Sequence, residues 1–176
     1  LPDTASEMVS RIAPVSAVSS IATVDATVRR TDLVSEGITG GIGVFAADAD
    51  LASTLNIELR DGVFLNDATT EYPAVVLGAV TAQTLGIDDV ADAFRVMIGG
   101  QWFDVVGIMD PVAAAEGLDR GVLVGYGAAE TYVVGDDIVP EILYVRTDDG
   151  AVEDVRNVLP ATVNPQAPEE AGVSRP

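Results

Sequence analysis

The chain has 176 residues, 48% of them apolar, with a mean hydropathy of +0.33 and a formal net charge of −19 from 28 acidic and 9 basic residues. Every basic residue is arginine, and Cys, His and Lys are absent, which excludes thiol nucleophiles, disulfides, Cys/His zinc sites, Schiff-base and phosphate-loop lysines, and His-based triads. So acidic a surface repels phosphate backbones and anionic lipid, which argues against any nucleic-acid partner and reads first as a solvated face.

The length suits one globular domain, or two small subdomains sharing a core. No run approaches the roughly 18 apolar residues that a membrane span needs. The chain starts at Leu1 without a basic or apolar leader, so its ends read as those of a segment excised from something longer.

Leu1 to Arg11 reads as a helix end, stopped at Ala13-Pro14 because the residue before proline is driven out of the α region. Val15 to Arg30 alternates loosely and predicts a strand or strand pair, with Ser16, Ser19, Ser20, Thr23 and Thr27 as its wet face. Thr31 to Gly43 is turn-rich. Its glycines lack the Gly-Lys-Ser/Thr ending of a phosphate loop, so it reads as a flexible connection. Gly43 to Ala46 is a short strand, and Asp48 to Leu55 a helix with Asp48 or Asp50 as N-cap. Ile57 to Phe64 crosses a strand and a turn at Arg60-Asp61-Gly62.

Pro73 to Gly78 predicts a buried strand, followed by a helix over Ala79 to Leu85 that stops at Gly86. Beyond a polar hinge at Asp88 to Asp92, Phe94 to Ile98 and Trp102 to Met109 form two apolar runs joined by Gly99-Gly100, a hairpin signature. Val122 to Val124 and Glu141 to Arg146 predict strands, and Ala128 to Val134 a short helix. A helix over Ala151 to Leu159, capped by Asp148 or Asp149, carries Val152, Val155, Val158 and Leu159 on one face. Thr162-Val163 reads as a last strand, and the proline-bearing tail from Asn164 to Pro176 as extended.

Chemistry is left to carboxylates, hydroxyls, Arg and Tyr. The acidic pairs are Asp48 with Asp50, Asp88 with Asp89, Asp136 with Asp137, Asp148 with Asp149, and Glu169 with Glu170. Turn and cap roles account for them, since Asp side chains bond nearby backbone N–H groups, and Asp48-x-Asp50 lacks the continuing ligands of a calcium loop. No Gly-x-Ser-x-Gly elbow occurs, so no hydroxyl has an evident base. Trp102 and Phe103 are adjacent on an alternating strand, so one faces the core and the other is free to contact a partner. These residues point to a non-enzyme, with no catalytic, metal or cofactor residue to name.

Three stretches in order carry a resemblance: "LRDGVFLND" (Leu59 to Asp67), "YPAVVLGAVTAQTLGI" (Tyr72 to Ile87) and "FRVMIGGQWFDVVGIMDP" (Phe94 to Pro111). They are similar to the glycine turn, the strand-to-small-residue-helix step and the "VvGv" hairpin of MacB-like periplasmic core domains, from FtsX-like ABC-transporter permeases. Early "RIAPVSAVSSIATV" (Arg11 to Val24) and late "PEEAGVSRP" (Pro168 to Pro176) resemble the segments that leave and approach the membrane helices in that family. In the first stretch the order Arg60-Asp61-Gly62-Val63-Phe64 departs from the family's glycine-arginine turn.

The resemblance implies an α+β fold: a porter-like α/β subdomain over 1–90 and 147–165, a β-rich inserted subdomain over 91–146, with mixed sheets and short helices. Residues 166–176 would form an extended lead-out to a membrane helix. It further implies a domain on the extracellular or periplasmic side of the cell membrane, a cytoplasmic ATP-binding subunit, a homodimer of permeases, and transmission of ATP-driven motion to substrate export or release. Both ends should then lie on one side of the domain. The alternative is a secreted or surface-anchored binding module with calcium as its candidate ligand; a carboxylate-based hydrolase would need two acids converging in a pocket.

Overall fold

The computed structural model describes residues 1–2, 4–33 and 41–175. In chain order the elements are α1 (Ala5–Ser10), β1 (Val15–Val24), β2 (Val28–Arg29), β3 (Gly43–Ala47), α2 (Leu51–Leu55), β4 (Leu59–Gly62), β5 (Ala74–Leu77) and α3 (Ala79–Leu85). They continue with β6 (Arg95–Ile98), β7 (Gln101–Met109), β8 (Gly121–Gly125), α4 (Tyr126–Ala129), β9 (Ile142–Thr147) and α5 (Val152–Val163). Short 3-10 segments cover Ala113–Arg120, Asp149–Ala151 and Pro168–Glu170, and a π turn follows α4 over Glu130–Val134. No helix among the described residues is long and apolar enough to cross a membrane.

The strands join in one mixed sheet in the order β2-β6-β7-β5-β8-β3-β1-β9, with β4 also paired to β7. Two pairings are parallel, β3 with β8 and β5 with β7, and the others are antiparallel. Along one edge β7 meets β6 through its first half, as far as Asp104, and β4 through its end, from Gly107 to Met109. Strands from 1–90 and from 91–146 are interleaved in this sheet.

Alternation along β5 and β8 explains why they sit at the centre. Val75, Leu77, Val122 and Val124 face one apolar cluster, together with Phe103 and Ile108. Val76 and Leu123 face the other, with Leu51, Leu65 and Met109. Every residue of both strands is buried, which is what uninterrupted Val/Leu runs predict. A third cluster closes the β1–β9 end, where Ala5 and Val9 of α1 meet Leu159 and Val163 of α5 over Val18, Leu143 and Val145.

The expected hairpin is present: Met97 pairs Trp102 and Ile98 pairs Gln101, with Gly99 and Gly100 at φ +56° and +86° in the turn. Helix α3 ends at Gly86 (φ +65°), as its sequence dictates. Another glycine pair allows a close approach. Gly62 and Gly107 are register partners in β4 and β7; a Cβ on either would sit 2.2 Å from a backbone oxygen of the other strand's region.

Several local expectations are corrected. The Arg60-Asp61-Gly62 turn is strand β4, because Leu59–Gly62 finds an open stretch of β7 to pair with. Helix α2 starts only at Leu51, and neither Asp50 nor, at the later helix, Asp148 makes a side-chain cap bond. Thr162-Val163 belongs to α5, not to a strand: Val155, Leu159 and Val163 keep a spacing of four, and the stripe draws the helix onward through Pro160. Val158 falls outside that stripe and is exposed. Part of the glycine-rich connection, residues 34–40, lies outside the described residues.

Candidate functional site

The hydroxyls of β1 divide. Ser16 and Thr23 are exposed as expected, but Ser19 and Ser20 are buried. Ser19 Oγ lies 2.8 Å from Thr54 Oγ1 on α2, which satisfies both. On the opposite face, Asp48 Oδ2 accepts from the Ser20 backbone N at 2.6 Å and from its hydroxyl at 2.8 Å. Ser20 Oγ is also 3.0 Å from Tyr126 Oη. Burial pushes the Tyr126 phenol up to about 12, opposed by the Ser20 hydrogen bond and reinforced by the charges of Asp48, Glu141 and Glu130.

This network borders a cavity of about 310 Å³ lined by Asp48, Asp50, Asp67, Glu71, Thr70 and Tyr126 among others. Beside it, Gly125 has no room for a side chain, since a Cβ there would meet the Thr70 backbone at 2.2 Å. Among the described residues no group of three or more acidic side chains has the arrangement to hold a metal ion. Asp48 is committed to fixing β1 against the start of α2, which is a structural task.

The remaining acidic pairs do not converge. Asp89 accepts from the Ala91 N–H at 3.0 Å, and Asp136 from the Asp137 N–H at 2.9 Å, both local turn bonds. Asp148 and Asp149 are exposed at the start of the 3-10 turn before α5, and Glu169 and Glu170 lie exposed in the turn of the tail.

On β7 the aromatic neighbours separate. Phe103 is fully buried in the central cluster and has no surface to offer a partner, whereas Trp102 is 40% exposed beside the hairpin turn.

A groove of about 860 Å³ lies around β9. Both end segments of the chain line it: Leu1, whose N atom bonds the Pro140 carbonyl at 3.0 Å, and Val173 to Arg175. The two ends thus share one side of the domain. Arg146, Arg156 and Arg175 also line the groove. No motif in the sequence marks these three arginines or Tyr126. Only the scarcity of arginine in so acidic a chain hinted at the former; Tyr126 is 106 residues from its Ser20 partner, and nothing local marked it.

The sequence matches the MacB-like periplasmic core domain family over residues 1–161, and the chain belongs to that family. Its fold is similar to the extracellular domain of the noncanonic ABC-type transporter YknZ from Gram-positive bacteria (TM-score 0.73, 16% identity, 94% of this chain and 83% of that one). It is also similar to the periplasmic region of MacB from Actinobacillus actinomycetemcomitans (TM-score 0.65, 12% identity, 97% and 83%). A domain of a putative permease from Porphyromonas gingivalis shares the fold at TM-score 0.56 (15% identity, 93% and 71%). No curated protein matches the sequence. The chain is accordingly a MacB-like periplasmic core domain, the kind of domain that ABC-transporter permeases carry outside the membrane.

Proposed function

We propose that the domain carries ATP-driven motion from the membrane to the outer side as a rigid body, in the export or release of a substrate. The observation that supports this reading is the joining of the two end segments. Ala5 and Val9 of α1 pack with Leu159 and Val163 of α5, and Ala171 of the tail packs against the same cluster. Force delivered through either end reaches β1 and β9 through one apolar handle, and the sheet follows as a unit. The domain performs no chemistry in this scheme.

In the assembly, the domain would sit on two membrane helices of a permease homodimer, with the ATP-binding subunit on the cytoplasmic side. Trp102, large and half-exposed at a hairpin, is the residue proposed to contact the twin domain or an accessory protein. The segmentation at 90/91 and 146/147 stays part of this proposal as a boundary of functional units within the shared sheet.

The 176 residues hold no cysteine, so in a full-length transporter freed of any other cysteines a cross-linking test has no background. Cysteines at Ser10 and Val158, the exposed neighbours of Val9 and Leu159, joined in that transporter by a flexible bismaleimide, should leave ATP-driven export unchanged. Loss of export on cross-linking, with ATP hydrolysis retained, would mean that the ends must separate and would overturn the rigid-body reading.

A further inference from the structure

We infer that the outer edge of β9 binds an extended peptide segment carrying acidic and apolar side chains, adding it to the sheet as a further strand. This rests on β9 and its surroundings and stands whether or not the domain transmits motion.

Strand β9 is the last in the sheet order, and among the described residues only β1 pairs with it. Its second edge therefore presents backbone N–H and C=O groups with no strand opposite. Edges of this kind are usually blunted by proline, by a bulge or by a covering segment. Ile142–Thr147 contains no proline, and the register shift in the β1–β9 ladder falls between Val15 and Ala17, on the β1 side. Ile142 is 48% exposed. The tail lines the groove but leaves about 860 Å³ open, room enough for several residues of extended chain.

The groove suits a strand on both faces. Leu143 and Val145 point to the α5 side, where Val155 and Leu159 continue an apolar floor. Tyr144 points the other way, toward Leu55. An added strand would meet an apolar surface with every second side chain, which is how strand addition gains its specificity, while main-chain hydrogen bonds supply affinity. A row of donors and acceptors favours a peptide over an acyl chain, which has nothing to pair with it.

Charge selects the kind of peptide. Three of the nine arginines, Arg146, Arg156 and Arg175, line this one groove in a chain of net charge −19. Arg156 has Glu153 at 3.9 Å, but among the described residues neither Arg146 nor Arg175 enters an ion pair. Of the two acids lining the groove, Glu141 is turned to β1, accepting from the Thr23 N–H at 3.0 Å, and Glu170 lies on the tail. The 310 Å³ cavity is lined by four carboxylates and no arginine. An acidic segment is thus repelled by the molecule as a whole and accepted at β9. Screening that long-range repulsion calls for about 0.15 M salt, where the Debye length is about 8 Å.

The test uses the 176-residue chain and a fluorescein-labelled decapeptide of alternating valine and glutamate, followed by anisotropy at that salt. The peptide should bind about ten-fold more tightly than its valine–serine counterpart, and N-methylation of alternate amides should abolish binding. Arg146→Glu together with Arg175→Glu should weaken binding about ten-fold, whereas Arg11→Glu, remote from the groove, should not. Arg175 is exposed, so Arg175→Glu alone serves if the double variant does not fold. Equal binding of the N-methylated or serine peptide overturns the inference. So does failure of every peptide to bind, or binding only of phosphatidylglycerol vesicles, which would assign the groove to anionic lipid.

Discussion

At the centre of the sheet, β5 and β8 bury all their residues between two apolar clusters, and no polar side chain interrupts them. At the β1–β9 end, Ser19 and Ser20 are buried on opposite faces, each satisfied by a partner far along the chain, and the last strand has a free edge. Beyond its backbone ladders the centre is held by apolar burial, which is strong and indifferent to partners. The β1–β9 end is held by pairwise hydrogen bonds and one shared helix cluster, which ties it closely to particular residues. That end also carries both chain ends and the groove, so the part open to partners is the part with the more specific and less apolar support.

The comparison is broken most easily at the centre. Phe103→Ala should lower unfolding free energy by about 3–5 kcal/mol, because it empties a fully buried site, while Trp102→Ala should cost about 1 kcal/mol or less. Urea denaturation of the two variants measures the contrast, and equal losses would contradict the assignment of their faces. Gly107→Ala should cost about 1–3 kcal/mol in the same assay, since the new methyl would strike the Val63 carbonyl oxygen.

At the polar end, Asp48→Ala leaves the buried Ser20 N–H without its acceptor, while the hydroxyl keeps Tyr126 Oη, and should cost about 1–3 kcal/mol. Millimolar calcium should shift the melting temperature of the parent protein by less than about 1 °C, a response of several degrees being the sign of a bound ion. The smallest effect concerns pH. With its folded pKa raised, Tyr126 keeps its proton between about pH 10 and 12 while the unfolded chain loses its own, so stability falls across that window. Absorbance titration should show this late phenol, and Tyr126→Phe should remove both it and its part of the alkaline slope.

Where pattern and burial coincide, the sequence was readable. The Val/Leu runs of β5 and β8, the hairpin at Gly99-Gly100 and the stop of α3 at Gly86 are local physics, decided within a few residues. The ordered motifs also carried the family, and two of their glycines, Gly62 and Gly107, prove to be register partners. The misreadings share a cause. Ser19 and Ser20 look like a wet face, and Arg60 to Gly62 like a turn, until a distant element arrives to pair with them. Thr162-Val163 looks like a strand only if Pro160 ends the helix, and the cluster with Val9 keeps it going.

What the sequence determined by itself is the chemistry the domain lacks and the elements whose neighbours in the chain suffice to define them. Absence of Cys, His and Lys needs no fold to interpret, and neither does an apolar run bounded by glycines. The tertiary structure alone decided which strands lie side by side, which serines are buried, and that both ends meet over β1 and β9. It also gathered Arg146, Arg156 and Arg175 around one open edge. Those facts depend on contacts between residues far apart in the chain, and such contacts are set by how the whole sheet closes its core rather than by any local pattern.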